Sequence, residues 1–233
     1  MIEWVNNHVF ILLLAAATIA AYFWLQRFRK LLNTNNSILF LVSVLHVAIG
    51  VLCVKLFAVA ETGFDQASVG NMSLFGAAFF LPLFFLIDAK IFKQEKSIVF
   101  DIFCICMLYA VFFSRMNCLF AGCCQGMMIH GLEPHRYPTR ELELIFYVVF
   151  ILIEAPKVYK KETHGEVYPL YMISYGVFRF AIEFLRETNS FGIFHRAHIW
   201  AFTCFVLGIL FYLHVVRQEK KGPSRTSKKR NTA

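Results

Sequence analysis

Apolar residues run along this chain in long blocks instead of alternating with polar ones. Seven blocks can be drawn, at roughly Val9–Gln26, Ile38–Val59, Leu74–Ile91, Ile98–Leu119, Leu142–Ala155, Val167–Leu185 and Ala197–Val216. A helix needs about 20 mostly apolar residues to cross the hydrocarbon of a bilayer. The blocks therefore predict an all-α, polytopic integral membrane protein with seven transmembrane helices. The connections between them are too short to hold a soluble domain. Residues 1–216 read as a single membrane domain and residues 217–233 as a basic tail.

The polar flanks predict the direction of each helix. The first block lacks a basic start and is followed by Arg27, Arg29 and Lys30, so it reads as a span and not as a cleavable signal. By the positive-inside rule this cluster is cytoplasmic and the N-terminus lies outside. Lys90, Lys93 and Lys96, then Lys157, Lys160 and Lys161, then the tail from Arg217, fall inside, while Glu61 and Asp65 fall outside. The C-terminus is then cytoplasmic. Composition agrees, with 58% hydrophobic and only 16% charged residues. The formal net charge is +8, and the tail, with seven Lys/Arg and one Glu, carries +6 of it. Such a tail orients a helix and touches anionic lipid, and it implies no nucleic-acid partner.

Arginine and lysine sort to opposite sides. Of the 16 basic residues on the inner side, 11 are lysine. The outer half holds seven: Lys55, Arg115, Arg136, Arg140, Arg179, Arg186 and Arg196. Lysine suffices to orient a helix, whereas the planar guanidinium grips phosphate or carboxylate with two parallel bonds. The outer face is thus suited to an anion, and phospholipid headgroups are the nearest source. Arg115 and Arg179 lie within apolar blocks, where a charge needs a partner and marks a functional candidate. Tyr175, Arg179, Glu183 and Arg186 recur at spacings of four, four and three, on one helical face. A salt-bridged seam between helices is the alternative reading of that stripe.

Four stretches in order resemble the prolipoprotein diacylglyceryl transferase family. Tyr175-Gly176 followed by Arg179, Glu183, Arg186 and Glu187 is similar to its late-helix pattern. Tyr137-Pro138-Thr139-Arg140-Glu141-Leu142-Glu143 resembles its His-Pro-Ser-Gln-Leu-Tyr-Glu segment. SRMNCLFAGCCQG, residues 114–126, resembles its Gly-Arg-x-Gly-Asn-Phe-x-Asn-Gly-Glu signature, keeping Arg115, Gly122 and Gly126. MSLFGA, residues 72–77, resembles its Met-Ser-Phe-His-Gly-Gly stretch. The resemblance implies a multi-pass enzyme of the bacterial inner membrane with its site facing outside. Such an enzyme moves diacylglycerol from phosphatidylglycerol to the thiol of a lipobox cysteine and releases glycerol phosphate. For this chain a monomer is expected, with no metal and no cofactor.

Departures fall on the groups that would handle protons. The motif histidine is Phe75 here, the signature asparagine is Cys118, the signature glutamate is Cys123, and the histidine before Pro138 is Tyr137. The expected catalytic set is Arg115, Arg179, Glu183 and Glu143. Tyr175, Arg186, Arg140, Gly122, Gly126, Cys123 and His198 are expected to bind substrate. Glu143, His195 and His198 are the candidate bases. Gly70, Gly76, Gly122 and Gly126 are expected to leave room for headgroup and acceptor.

Cys118, Cys123 and Cys124 admit four readings. They could form a disulfide in an oxidising compartment, a metal site with His130 and His135, a nucleophile activated by Arg115 or Arg136, or close packing of small residues. Cys53, Cys104, Cys106 and Cys204 read as packing inside spans, and His46 as a hydrogen-bonded core histidine. Beside the transferase reading stand a transferase with another lipid or acceptor, and a non-catalytic phospholipid-binding or transport protein.

Overall fold

The computed structural model describes residues 2–61, 63, 72–131, 133–186 and 196–220, without the side chains of residues 2–7 and 219–220. Asp65, Gly70, Glu187, His195 and the tail beyond Lys220 lie outside the described residues.

Each apolar block becomes a helix: α1 Ile2–Arg27, α2 Asn36–Glu61, α3 Phe75–Ile91, α4 Lys96–Ala121, α5 Thr139–Lys160, α6 Val167–Glu183 and α7 Arg196–Lys220. Most run past their blocks, because polar residues at the ends extend the hydrogen-bonded ladder. Among the described residues, α1, α2, α4 and α7 are the helices long and apolar enough to cross a membrane. The expectation of seven spans is thus met by seven helices, of which four have that character. At 17 residues, α3 and α6 are about 25 Å long, short of a ~30 Å hydrocarbon core. α5 carries Arg140, Glu141, Glu143, Glu154, Lys157 and Lys160, which lower its mean hydropathy.

The exterior is apolar, as lipid demands. Leu12, Phe23, Leu56, Leu152, Ile199 and Phe202 point outward and are well exposed. The interior is aromatic and aliphatic, with Phe85, Phe103, Tyr147, Tyr171 and Tyr175 fully buried. Two buried polar side chains in the span interiors are paired. Trp24 Nε1 donates to the Ile102 carbonyl at 2.9 Å, tying α1 to α4. His46 meets Asp88 at 2.8 Å and the Val42 carbonyl at 2.9 Å, so it is a hydrogen-bonded core residue. Cys53, Cys104, Cys106 and Cys204 are buried packing residues.

α4 is the hub, and α6 is fixed against it and against α7. Asp101 on α4 accepts the backbone N–H of Gly165 at 2.7 Å and of Val167 at 3.1 Å, which sets where α6 begins. The Tyr168 hydroxyl donates to the Ala78 carbonyl at 2.6 Å and adds α3 to the contact. Two glycines bring α6 and α7 together, since close helix approach in lipid depends on small residues. A Cβ on Gly176 would lie 2.7 Å from the Phe205 nitrogen, and one on Gly208 would lie 2.8 Å from the Ile173 nitrogen. Gly176→Val should therefore push α7 off α6 and cost about 1–3 kcal/mol. Thermal unfolding in detergent reads this as a lowered midpoint, and an unchanged midpoint would show that the helices can separate freely.

Gly76 and Gly126 do not leave space for a ligand. A Cβ on Gly76 would come within 2.7 Å of Phe57 Cβ, and one on Gly126 within 2.8 Å of Tyr137 Cβ. Both are close-packing positions, because neighbouring backbone occupies the space beside them. Gly122, in contrast, faces open space at φ +67°.

Candidate active site

The C-terminal ends of α4 and α6 and the N-terminal end of α5 meet at one end of the bundle, where Arg115, Glu143, Arg179 and Glu183 are all buried. The side chain of Glu143 is only 2% exposed and stands at the centre. Its Oε2 pairs with Arg115 Nε, while its Oε1 lies 3.5 Å from Arg179 Nη1 and 3.7 Å from Arg186 Nη1. Glu183 Oε2 takes Arg179 Nη1 at 2.6 Å, across one turn of α6, and lies 3.9 Å from Arg186 Nε. Among the described residues, these ion pairs join three guanidiniums to two carboxylates.

The sequence stripe persists, but α6 ends at Glu183, so Arg186 sits in the turn beyond it. That turn is held by a backbone bond from Met127 N–H to the Leu185 carbonyl at 2.8 Å. Tyr175 is fully buried with its ring stacked on Tyr171 at 5.4 Å. Phe75 stands 5.7 Å from the Tyr175 ring, so an aromatic ring occupies the place where the family resemblance has an imidazole. Tyr147 was not foreseen. It lies one turn after Glu143 on α5, is fully buried, and its ring is 6.2 Å from that of Tyr175. The i+4 spacing from Glu143 is the signal that could have found it.

His198 and Arg140, also expected at the site, make contacts of their own. His198 packs on the rings of Phe180 and Phe184, with centroids 5.0 and 4.5 Å away, and joins α7 to α6. Arg140 donates to the Cys118 carbonyl at 3.4 Å and lies 3.9 Å from Glu141, so it braces the end of α4. The loop after α4 is fixed by side chains. Thr139 Oγ1 donates to the Cys124 carbonyl at 3.2 Å, Gln125 Nε2 to the Gly122 carbonyl at 3.0 Å, and Arg136 Nη1 to the Gly126 carbonyl at 3.1 Å.

The three cysteines converge at the mouth of this cluster, with their sulfurs within 4.8 Å of one another and unbonded. Arg115 Nη1 lies 4.0 Å from Cys118 Sγ. Hydrogen bonds from Cys118 and Cys123, helped by Arg115 and Arg186, hold the Cys124 thiol far below its usual range. Cys123, sharing its proton with those neighbours, is pushed far above it. His130 and His135 do not join the group.

A helical bundle with an apolar exterior, enclosing a cluster of arginines and carboxylates at one end, defines a polytopic integral membrane protein with a buried charged site. The chain belongs to the prolipoprotein diacylglyceryl transferase family, whose sequence profile matches residues 2–214. It is similar to phosphatidylglycerol–prolipoprotein diacylglyceryl transferase 2 of Clostridium perfringens, 30% identical over 115 residues that make up 43% of this chain and 45% of that protein. It is also similar to phosphatidylglycerol–prolipoprotein diacylglyceryl transferases of Proteus mirabilis and Clostridium tetani. The first is 31% identical over 100 residues, 40% of this chain and 33% of that protein. The second is 35% identical over 89 residues, 32% of this chain and 35% of that protein. The chain spans less than half the length of each of these relatives.

Proposed function

We propose that this chain transfers a diacylglyceryl group from phosphatidylglycerol to an acceptor thiol, a lipobox cysteine in a peptide partner, at the outer face of a bacterial inner membrane. The observation that carries the reading is the convergence of the Arg115, Arg179 and Arg186 guanidiniums on Glu143, with Arg115 and Arg179 themselves buried. The family membership and the names of the relatives agree with it.

A phospholipid enters between helices and its phosphate exchanges for Glu143 on Arg115 and Arg179, while Glu183 holds Arg179 in pose. The bond from the diacylglyceryl carbon to the phosphate oxygen breaks with its electron pair going to oxygen, and the fixed guanidiniums stabilise the charge that grows there. The thiol sulfur forms the new bond to carbon, and glycerol phosphate departs. Glu143, freed by the phosphate, takes the thiol proton. Binding of the lipid and release of the base are then one event.

Phe75 beside Tyr175 favours one competing reading, since a site without the imidazole suits another acceptor, or headgroup binding without turnover. Native mass spectrometry distinguishes phosphate recognition from general lipid retention. Wild-type protein should keep phosphatidylglycerol in preference to neutral diacylglycerol, and equal retention would contradict a phosphate anchor.

The chemistry needs seven crossings, with the N-terminus outside and the C-terminus inside, so that the cluster meets the outer leaflet. The protein acts as a monomer, with Arg115, Glu143, Arg179 and Glu183 brought together by one chain. Reporter fusions within residues 60–72 and 123–140 should score as external. A cytoplasmic score would turn the site the wrong way.

A further inference from the structure

The motif that the transferase reading leaves unused is Cys118, Cys123 and Cys124. We propose that these three thiols form an all-sulfur site for a soft, monovalent metal ion, copper(I) in chemical type, at the mouth of the arginine cluster.

Chain geometry brings them together. Cys118 stands in the last turn of α4. Gly122, at φ +67°, ends that helix in the left-handed region, and Cys124 follows at φ +57°. These two reversals fold the next residues back onto the helix, so positions 118, 123 and 124 present their sulfurs within 4.8 Å of one another. A metal–sulfur bond of about 2.3 Å in a trigonal site places the sulfurs about 4 Å apart. Rotation about the Cys side-chain torsions suffices to close the remaining distance. The backbone of the turn is already fixed by Thr139 on the Cys124 carbonyl and Gln125 on the Gly122 carbonyl.

The donor set selects the ion. Among the described residues the group is three thiols, with no imidazole or carboxylate. Sulfur-only donors select soft ions. Zinc closes its structural sites with four ligands, whereas copper(I) is satisfied by three. The negative charge of three thiolates on a monovalent ion is offset by Arg115, whose Nη1 is 4.0 Å from Cys118 Sγ. Arg140, at 3.4 Å from the Cys118 carbonyl, adds a second cation.

Two other uses explain less. A disulfide employs two sulfurs and leaves the convergence of the third without a reason. A thiol that accepted a diacylglyceryl group would hold it as a thioether, which does not pass it onward, so a covalent relay would stop after one event. A bound ion instead fixes residues 122–124 to the end of α4, one turn from Arg115, and links metal loading to the clamp.

The test needs neither lipid substrate nor peptide, so its failure leaves the transferase reading standing. The full chain, reduced and anaerobic in detergent, is titrated with copper(I) against a chromophoric copper(I) chelator. One ion per chain should be withdrawn from the chelator, and X-ray absorption should show three sulfur neighbours. Cys118→Ser, Cys123→Ser and Cys124→Ser should each weaken capture at least 10-fold, while Cys53→Ser, in the core of α2, should leave it unchanged. Size-exclusion profiles show that each variant is folded. Capture no better than that of the folded triple serine variant would overturn the proposal. So would a disulfide or a diacylglyceryl adduct on these cysteines in protein isolated without reductant.

Discussion

Arg115→Ala is expected to abolish selective retention of phosphatidylglycerol and to lower diacylglyceryl transfer by about 100-fold or more. The reason lies at Glu143, where Arg115 pairs with Oε2. Without Arg115, the phosphate loses one of the two guanidiniums proposed to hold it. Glu143 keeps Arg179 and Arg186 as partners, so no buried carboxylate is orphaned and the fold should survive. Arg179→Lys makes the complementary test, because it keeps the charge and removes the fork. An ammonium cannot span Glu143, Glu183 and a phosphate oxygen as the planar group does, and transfer should fall at least about 10-fold. Wild-type transfer in Arg179→Lys, measured by mass spectrometry of the peptide product, would reduce the cluster to a salt-bridged seam.

Glu143→Gln is expected to separate binding from turnover. The amide fills the same volume between the three arginines but cannot take a proton from the acceptor thiol. Transfer should drop by about 100-fold to 10,000-fold, the usual contribution of a positioned base. Phosphatidylglycerol should still bind, since the phosphate no longer competes with a charged carboxylate for Arg115 and Arg179. Native mass spectrometry on the variant reads the binding, and single-turnover transfer reads the chemistry. A parallel loss of both would make Glu143 an organiser of the arginines and move the base elsewhere.

The helices were legible because lipid imposes one rule on all of them, an apolar length, and each block in the sequence became a helix. Their spanning character was less so. α3 and α6 are short and α5 carries six charged residues, so length and mean hydropathy separate them from the other four helices. In the site, Arg179, Glu183 and Arg186 were readable because i, i+4 and i+3 contacts are local. Glu143 was named from its motif, yet its place between three arginines on two other segments depends on tertiary packing. Tyr147 was missed for the same reason. Gly76 and Gly126 misled, since a small residue beside a site can admit a ligand or another backbone, and only the neighbours decide. His198 lies against the rings of Phe180 and Phe184, a contact between helices that spacing along the chain does not show.

The most direct measurement of the central claim uses purified protein, phosphatidylglycerol in nanodiscs and a synthetic lipobox peptide, followed by mass spectrometry. The account predicts that the peptide cysteine gains one diacylglyceryl group, that glycerol phosphate is released in equal amount, and that Arg115→Ala yields neither. Wild-type protein that retains phosphatidylglycerol while the peptide stays unmodified and no glycerol phosphate forms would contradict it.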